Sequence, residues 1–326
     1  MKILITGATG FVGSHLSDLL HRSGHEVYSL VRSPDKAKEF DVKGTLIRGS
    51  LNSTKSHDWV AELPIDLDAV VHAAGIVHSF EDRSFYTVNT ESTRQLIEDL
   101  SFKYTKLKFI LISSLAAAGP SKRYQTEDQV PEPVSVYGKS KLAAERILTN
   151  EAPKSWQKSI IRPPMVIGPR DPAVLDVFKM VKKGIVPSLG RKGGKKIYSF
   201  VGVFDLVESI KLCLENDKEG LEVYFSAFPK AIEFKELLSV IASKLNKKKP
   251  LIIPLPISPI KFATKVIALK KPKTVRLTPD KINEIIPKAW TCSAEKSTKQ
   301  LGQVYKWDIE KIVEETLNDY KKRGWL

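Results

Sequence analysis

The sequence has few cysteines and no long apolar segment. Two cysteines in 326 residues, Cys213 and Cys292, are too few for a disulfide scaffold or a cysteine-rich metal site. No stretch approaches the ~18 unbroken apolar residues of a membrane-spanning helix. The first residues run directly into a glycine-rich turn and show no cleavage site of a secretory signal. These absences predict a cytoplasmic chain without a disulfide framework, a metal centre or a transmembrane segment.

Acidic residues are scarce relative to basic ones. The chain has 52 lysines and arginines against 37 aspartates and glutamates, which gives a formal net charge of +15. Such a field attracts phosphates, nucleic acid or an anionic membrane surface. We interpret it as a solvated basic face and expect no specific nucleic-acid partner, because the sequence shows no aromatic stacking platform for bases. Much of the excess lies late in the chain, at Lys244, Lys247, Lys248, Lys249, Lys261, Lys265, Lys270, Lys271, Lys273 and Arg276.

Strand-like and helix-like segments alternate through the first two hundred residues. Short runs of β-branched residues and leucine predict strands at residues 2–6, 26–31, 45–48, 69–72, 108–113 and 159–162. Helical periodicity fills the gaps, most clearly at residues 11–22, 86–100 and 135–148. This alternation predicts right-handed crossovers and an α/β fold, a doubly wound parallel sheet of the Rossmann type.

The pattern changes after Pro163-Pro164, where loops and short helices follow. Residues 250–259 contain four prolines, which we expect to break any regular element there. We therefore expect a dinucleotide-binding Rossmann domain over residues 1–168, completed by residues 203–226. A smaller, mainly helical substrate-binding part would comprise residues 169–202 and 227–326.

Three glycines, Gly7, Gly10 and Gly13, lie between the first strand and the first helix. The first allows a tight turn, the second lets the backbone approach a pyrophosphate, and the third allows the helix to pack closely on the sheet. The helix N-terminus then presents unpaired N–H groups to the phosphates. This context predicts a dinucleotide site.

The end of the second strand bears on the choice of dinucleotide. An acidic residue there holds the ribose 2′-hydroxyl of NAD, whereas an arginine accommodates the 2′-phosphate of NADP. The strand ends in Val31-Arg32-Ser33, with Lys36 nearby and no acid available. The sequence therefore favours NADP over NAD.

Tyr137 and Lys141 are four residues apart on a predicted helix and so share one face. A lysine ammonium beside a phenol favours the phenolate and lowers its pKa, which suits a proton shuttle to a hydroxyl carbon. Ser114 follows the fifth strand, at the carboxyl edge of the sheet where ligands bind. We interpret Ser114 as a hydrogen-bond partner of the substrate oxygen.

Together these motifs resemble the extended short-chain dehydrogenase/reductase superfamily, of the NAD-dependent epimerase/dehydratase type. Residues 6–13 match its TGxxGxxG motif, and residues 71–75 resemble the motif that lies along the cofactor. Tyr137 and Lys141 match its YxxxK motif, and Asn89 matches the asparagine of its Asn-Ser-Tyr-Lys tetrad. Residues 162–169 resemble its RPxxVxGP segment beside the nicotinamide and the substrate. The resemblance covers about the first two-thirds of the chain.

The resemblance implies roles for these residues. Tyr137 would be the acid/base, Lys141 would bind the nicotinamide ribose, and Ser114 would orient the carbonyl or hydroxyl. Asn89 would hold a water molecule for proton relay. One departure is at residues 49–51, which lack the family's common adenine-contacting aspartate. The predicted cofactor-binding residues are Gly7, Thr9, Gly10, Phe11, Val12, Gly13, Arg32, Lys36, Leu51, Ala73, Ala74, Gly75, Tyr137, Lys141, Pro164 and Val166.

The residues after Ser114 bear on the type of reaction. The family's sugar-nucleotide 4,6-dehydratases carry an Asp-Glu pair there, whereas this chain has Leu115-Ala116-Ala117-Ala118, so dehydration is disfavoured. Our leading hypothesis is an oxidoreductase for a secondary alcohol or ketone of a bulky, partly apolar substrate, similar to 3β-hydroxysteroid dehydrogenases or dihydroflavonol reductases. A sugar-nucleotide epimerase with tightly bound NAD(P) is the main alternative, and a non-catalytic NADP sensor is a further one.

The late region around residues 257–269 combines apolar residues with lysines. We interpret it as a packed amphipathic helix, while a substrate lid or a peripheral membrane contact remains open. Members of the resembled family are often dimers through a four-helix contact that includes the Tyr–Lys helix. A homodimer is therefore an expectation that rests on the resemblance alone.

Overall fold

The structure, a computed structural model, describes residues 1–51, 58–122, 124–190, 192–269 and 277–326. The late basic residues Lys270, Lys271, Lys273 and Arg276 lie outside this described part. The strands are β1 (Lys2–Thr6), β2 (Glu26–Val31), β3 (Thr45–Arg48), β4 (Ala69–His72), β5 (Lys108–Ile112), β6 (Gln157–Arg162), β7 (Met165–Ile167), β8 (Ile185–Leu189), β9 (Ile197–Tyr198), β10 (Phe200–Gly202), β11 (Leu221–Phe225), β12 (Ile232–Glu233), β13 (Leu251–Leu255) and β14 (Ala289–Trp290).

Helices connect these strands and form most of the C-terminal part. They are α1 (Phe11–Arg22), α2 (Pro34–Glu39), α3 (Asp82–Phe85), α4 (Ser92–Ser101), α5 (Leu115–Ala118), α6 (Val136–Glu151), α7 (Leu175–Lys183), α8 (Val203–Glu215), α9 (Phe234–Lys244), α10 (Ile257–Leu269), α11 (Pro279–Ile285), α12 (Glu295–Leu301) and α13 (Ile309–Lys322). A π-helix, Tyr86–Glu91, joins α3 to α4 within the segment predicted as one regular helix.

Seven parallel strands form the central sheet, in the order β3-β2-β1-β4-β5-β6-β11. Alternate residues point to opposite faces, and both faces are covered. Ile3 and Ile5 of β1 lie in one buried cluster, whereas Leu4 lies in the other. This topology confirms the predicted doubly wound α/β fold.

The strand order reverses between β1 and β4, which creates a crevice at the carboxyl edge of the sheet. Parallel strands place their carboxyl ends at the same edge, and in such sheets ligands bind at the point of reversal. The glycine turn after β1 and the segments that follow β4, β5 and β6 therefore meet around one crevice.

A separate hydrophobic cluster lies among α7, α9 and α13, where Phe178 and Tyr320 pack edge to face. Around it are a two-stranded ribbon of β8 and β13, the pair β7–β10 and the three-stranded β12-β9-β14. The expectation that prolines break residues 250–259 was wrong. Leu251–Leu255 forms β13 and pairs in parallel with β8, because Pro254 lies in a two-stranded ribbon where a missing N–H is tolerated.

Candidate active site

The glycine turn after β1 leaves no room for side chains at two positions. Gly7 has a φ of +74°, and a Cβ there would lie 2.6 Å from the backbone nitrogen of Ala74. A Cβ on Gly13 would lie 2.2 Å from the carbonyl oxygen of Gly7. The turn is therefore closely packed between the segment after β4 and the start of α1.

The N-terminus of α1 is available to an anion. Gly10 precedes the helix without a side-chain cap, and the first turn contains no acidic residue. The N–H groups of this turn and the helix dipole favour a bound phosphate. These features fit the pyrophosphate of a nicotinamide dinucleotide.

The other predicted cofactor residues line the same crevice or its ends. Ala73-Ala74-Gly75 directly follows β4, and the Ala74 N–H donates to Thr6 Oγ1 at 3.4 Å. Arg32 and Lys36 are exposed at the end of β2, and Leu51 packs against the core below β3. Thr9, Phe11 and Val12 lie in the glycine turn and the start of α1, and Pro164 and Val166 follow β6.

Ser114 and Tyr137 meet at the end of β5. Ser114 caps α5, accepting the Ala116 N–H at 3.1 Å, and its side chain hydrogen-bonds with that of Tyr137. The Tyr137 ring lies in the first turn of α6, with its centroid 6.0 Å from that of Phe85. The structure thus brings together two of the four predicted catalytic side chains in direct contact.

Lys141 follows Tyr137 by one turn of α6 and is buried. Its Nζ donates to the carbonyl oxygen of Ile112 at 2.7 Å. Burial lowers the pKa of Lys141 to about 8, and Glu145 opposes this shift. Lys141 is therefore still mostly protonated at pH 7.

The expected effect of Lys141 on Tyr137 is not seen in the protein alone. Burial raises the pKa of the Tyr137 phenol, the Ser114 hydrogen bond lowers it, and the Glu284 carboxylate raises it. Burial removes the water that would stabilise the phenolate, and no nearby cation replaces it, because the ammonium of Lys141 donates to the Ile112 carbonyl. The phenol is accordingly held in its protonated form.

Asn89 lies in the π-helix and ties two elements together. Its Oδ1 accepts the Ile76 N–H at 2.8 Å, and its Nδ2 donates to the Ile76 carbonyl and to Ser140 Oγ, each at 3.0 Å. A Cβ on Gly75 would lie 3.0 Å from Asn89 Oδ1 and 3.5 Å from Lys141 Nζ. Asn89, Gly75 and Lys141 therefore converge, and a π-helix at this point is typical of functional sites.

A buried ion pair below the site was not predicted. Arg162 donates from Nε and from a terminal nitrogen to the two oxygens of Glu145, at 2.9 and 2.6 Å, and Ser113 also donates to Glu145. This network joins the ends of β5 and β6 to α6. A sequence signal existed, because Glu145 stands one turn after Lys141 and Arg162 opens the RPxxVxGP-like segment.

Two carboxylates from a distant segment cap α6. Asp280 accepts the N–H groups of Val136 and Tyr137 at 2.6 and 3.2 Å, and Glu284 accepts the Ser135 hydroxyl at 2.8 Å. Both belong to α11, more than 140 residues away in the chain. No local pattern in the sequence indicates this contact.

The segment after Ser114 and the buried His72 add no further acid or base to the site. Leu115 to Ala118 after Ser114 are all buried and apolar. His72 is buried between Thr6 and Thr93, and burial lowers its pKa to about 3, so it is neutral. Within the described ranges, no cluster of His, Cys, Asp or Glu could hold a metal ion, and no helix there is long and apolar enough to cross a bilayer.

The chain matches a known protein family and several characterised proteins. The profile of the NAD dependent epimerase/dehydratase family matches residues 3–224. The UDP-glucose 4-epimerase of Vibrio cholerae is 32% identical over 263 residues, which cover 76% of this chain and 76% of that protein. An N-acetyl-α-D-glucosaminyl-diphospho-ditrans,octacis-undecaprenol 4-epimerase of Escherichia coli O157:H7 is 28% identical over 257 residues, covering 76% and 74%.

A reductase and a solved structure also match. The ceramide reductase of Caulobacter vibrioides is 30% identical over 192 residues, which cover 58% of this chain and 54% of that protein. The crystal structure of the UDP-glucuronic acid 4-epimerase of Bacillus cereus, in complex with UDP-glucuronic acid and NAD, superposes with a TM-score of 0.78. It is 22% identical, and the match covers 99% of this chain and all of that one.

Proposed function

The chain belongs to the NAD-dependent epimerase/dehydratase family, and on that premise we propose that it is an epimerase of a sugar carried on a diphosphate. The observation that carries the proposal is the contact of Ser114 with Tyr137, one turn from buried Lys141, beside the glycine turn. The epimerases among the relatives support the substrate class. This reverses the order of our sequence-based hypotheses, in which a reductase came first.

The chain's own residues supply the proton chemistry. The Tyr137 oxygen would take the proton of a substrate hydroxyl as that carbon loses a hydride, and would return the proton when the resulting ketone is reduced on its other face. Ser114 would donate a hydrogen bond to the same substrate oxygen. NAD(P), when bound, supplies an acceptor that can also return the hydride.

The region after Ser114 favours redox chemistry without dehydration. Eliminating a hydroxyl group needs an acid for the leaving oxygen and a base for the neighbouring carbon. The four residues Leu115 to Ala118 offer neither. We therefore expect no 4-keto-6-deoxy product from dTDP-glucose or UDP-glucose.

The cofactor would lie along the residues predicted from the sequence. Gly7, Gly10 and the first turn of α1 would hold the pyrophosphate, and Arg32 with Lys36 would face the 2′-phosphate of NADP. Arg32→Ala should weaken NADP binding about tenfold or more, because a charge-assisted hydrogen bond contributes ~1.5–3 kcal/mol. NAD binding should change less than twofold, and isothermal titration of both dinucleotides measures the difference. Equal losses would remove the argument for NADP, and Lys38→Ala serves as the surface control.

A second candidate is a reductase that acts in one direction on a ketone with a lipid-like part. The buried apolar residues after Ser114 favour it, and the ceramide reductase among the relatives supports it. The two candidates differ in what they do with the dinucleotide. An epimerase regenerates it in each turnover, whereas a reductase must release and replace it.

The first experiment separates these candidates and the non-catalytic sensor. Nucleotide is released from purified protein by acid, identified by mass, and its exchange with added dinucleotide is timed on native protein. UDP-glucose, UDP-N-acetylglucosamine and their C4 epimers are then supplied. Retained nucleotide and interconversion of the C4 epimers without net NAD(P)H formation support the epimerase. Freely exchanging nucleotide with ketone-dependent NADPH oxidation would replace it with the reductase.

A further inference from the structure

The outer face of the β8–β13 ribbon is exposed and apolar. The register sets Leu251 opposite Ile185 and Ile253 opposite Pro187. Leu251 is 65% exposed and Ile185 is 51% exposed, and their two neighbours are exposed as well. Water therefore contacts four adjacent apolar side chains on one side of this ribbon.

The helix that follows the ribbon is also exposed. From Lys261 to Ile267 only Thr264 is buried, and the opposite side of α10 carries Phe262, 70% exposed, and Val266, 47% exposed. Phe262 and Val266 are one turn apart and so form one stripe. The only charged residues of α10 are Lys261 and Lys265, which lie along one side of this stripe. The predicted packed amphipathic helix thus leaves its apolar stripe uncovered by the described chain.

Five lysines lie at the beginning of the same ribbon. Lys182 and Lys183 end α7 just before β8, and Lys247 to Lys249 precede β13. Because β8 and β13 are parallel and in register, with the Leu251 N–H donating to the Gly184 carbonyl at 2.9 Å, both groups stand at one end. Within the described residues none of the five has an ion pair, whereas nearby Lys244 pairs with Glu314.

We propose that the outer ribbon face, the α10 stripe and these five lysines form a docking surface for an anionic lipid bilayer. Apolar side chains beside clustered lysines match the two parts of such a bilayer, its acyl boundary and its phosphate headgroups. Lysines near a membrane strengthen binding by electrostatic attraction, and Phe262 and Val266 would insert below the headgroups. The positive net charge of the chain acts in the same direction.

Charge distinguishes a bilayer from a second copy of the chain. In a two-fold dimer the patch faces a copy of itself, whose charged groups are the same lysines, so no lysine gains an acidic partner from that patch. The described residues provide no acidic partner for them on this surface. An anionic bilayer provides that partner for every lysine.

The docking surface is structurally linked to the candidate active site. Helix α10 packs against α11, and Asp280 of α11 accepts the backbone N–H of Tyr137. Docking would therefore hold α11, the helix that caps the N-terminus of α6, near a membrane. This agrees with a substrate whose sugar or ketone is attached to a lipid.

Sedimentation with vesicles tests the docking surface. The full chain is mixed with vesicles that contain phosphatidylglycerol, or with vesicles of phosphatidylcholine alone, at low and high salt. The wild type should bind the phosphatidylglycerol vesicles, and high salt should weaken this binding. Lys247→Gln, Lys248→Gln and Lys249→Gln together should weaken it about tenfold or more, and so should Phe262→Ser with Val266→Ser.

Matched variants at exposed positions outside the docking surface are the controls. Lys38→Gln, Lys106→Gln and Lys154→Gln remove the same charge, and Phe102→Ser removes an aromatic ring that is 92% exposed. These variants should bind the vesicles as the wild type does. Failure of the wild type to bind, or equal losses in the control variants, would overturn the proposal.

A second measurement addresses the dimer. If Phe262→Ser with Val266→Ser converts a dimer to a monomer in analytical ultracentrifugation and leaves vesicle binding intact, the surface is a contact between copies and the proposal fails. All these readouts are of binding, so an absence of epimerase activity would not affect them.

Discussion

At the scale of single residues, the candidate site rests on the phenol of Tyr137. Its hydroxyl is partnered by Ser114, and burial keeps it protonated in the protein alone. A protonated phenol is the form that donates a proton to a ketone, so the protein alone is poised for the reducing half of the proposed cycle. The oxidising half needs the phenolate, which a positive charge near the ring would stabilise.

Replacement of Tyr137 by phenylalanine separates catalysis from cofactor binding. Tyr137→Phe keeps the ring that packs against Phe85 and removes only the proton-transfer group. We expect turnover to fall by about 10²–10⁴-fold, the usual contribution of a general acid or base. Dinucleotide affinity, measured by fluorescence titration, should stay within a few-fold. Undiminished turnover would refute the role given to this residue.

At the scale of elements, the buried pair of Glu145 and Arg162 holds α6 against the ends of β5 and β6. Glu145→Ala leaves a buried guanidinium without its carboxylate. We expect a loss of about 3–5 kcal/mol in the free energy of unfolding, measured by urea denaturation.

The control for this prediction lies on the same helix. Glu151 pairs with Arg94 near the surface, so Glu151→Ala should cost less than about 1 kcal/mol. Similar losses in both variants would mean that the buried pair has no special role in positioning α6.

The sequence predicted correctly those elements that depend on interactions between residues close together in the chain. The glycine turn, the first six core strands and the spacing of Tyr137 and Lys141 depend on residues close together in the chain, and all of these elements form. The prolines of residues 250–259 misled the prediction, because pairing of β13 with β8 depends on a strand more than sixty residues earlier.

The candidate site was likewise predictable where local sequence identifies its residues, and not where tertiary packing positions them. Motif spacing identified Tyr137, and its place after the fifth strand identified Ser114; the two side chains form a hydrogen bond. The cap provided by Asp280 and the orientation of Lys141 toward Ile112 depend on tertiary packing, so the raised pKa of Tyr137 could not be predicted from local sequence.

At the scale of the whole molecule, two buried histidines make folding sensitive to mild acid. His15 on α1 has a pKa lowered by burial to about 4, and that of His72 on β4 is lowered to about 3. In the unfolded chain both have the ordinary value near 6.5. Between these values the unfolded state binds more protons than the folded state, so stability falls as the pH drops below about 6.5.

We expect each histidine to lower the free energy of unfolding by about 1 kcal/mol between pH 7 and pH 5.5, because it binds a proton in the unfolded state and not in the folded state. Urea denaturation at the two pH values measures the loss. His15→Gln combined with His72→Gln should be less stable than the wild type at pH 7 but should lose about 2 kcal/mol less on acidification. Both proteins share the same carboxylates, so the contribution of carboxylate protonation cancels when their losses of stability are compared. His21→Gln, at an exposed position, should lose as much stability as the wild type. If the double variant loses as much stability as the wild type, the acid sensitivity of the fold arises elsewhere and these histidines do not govern it.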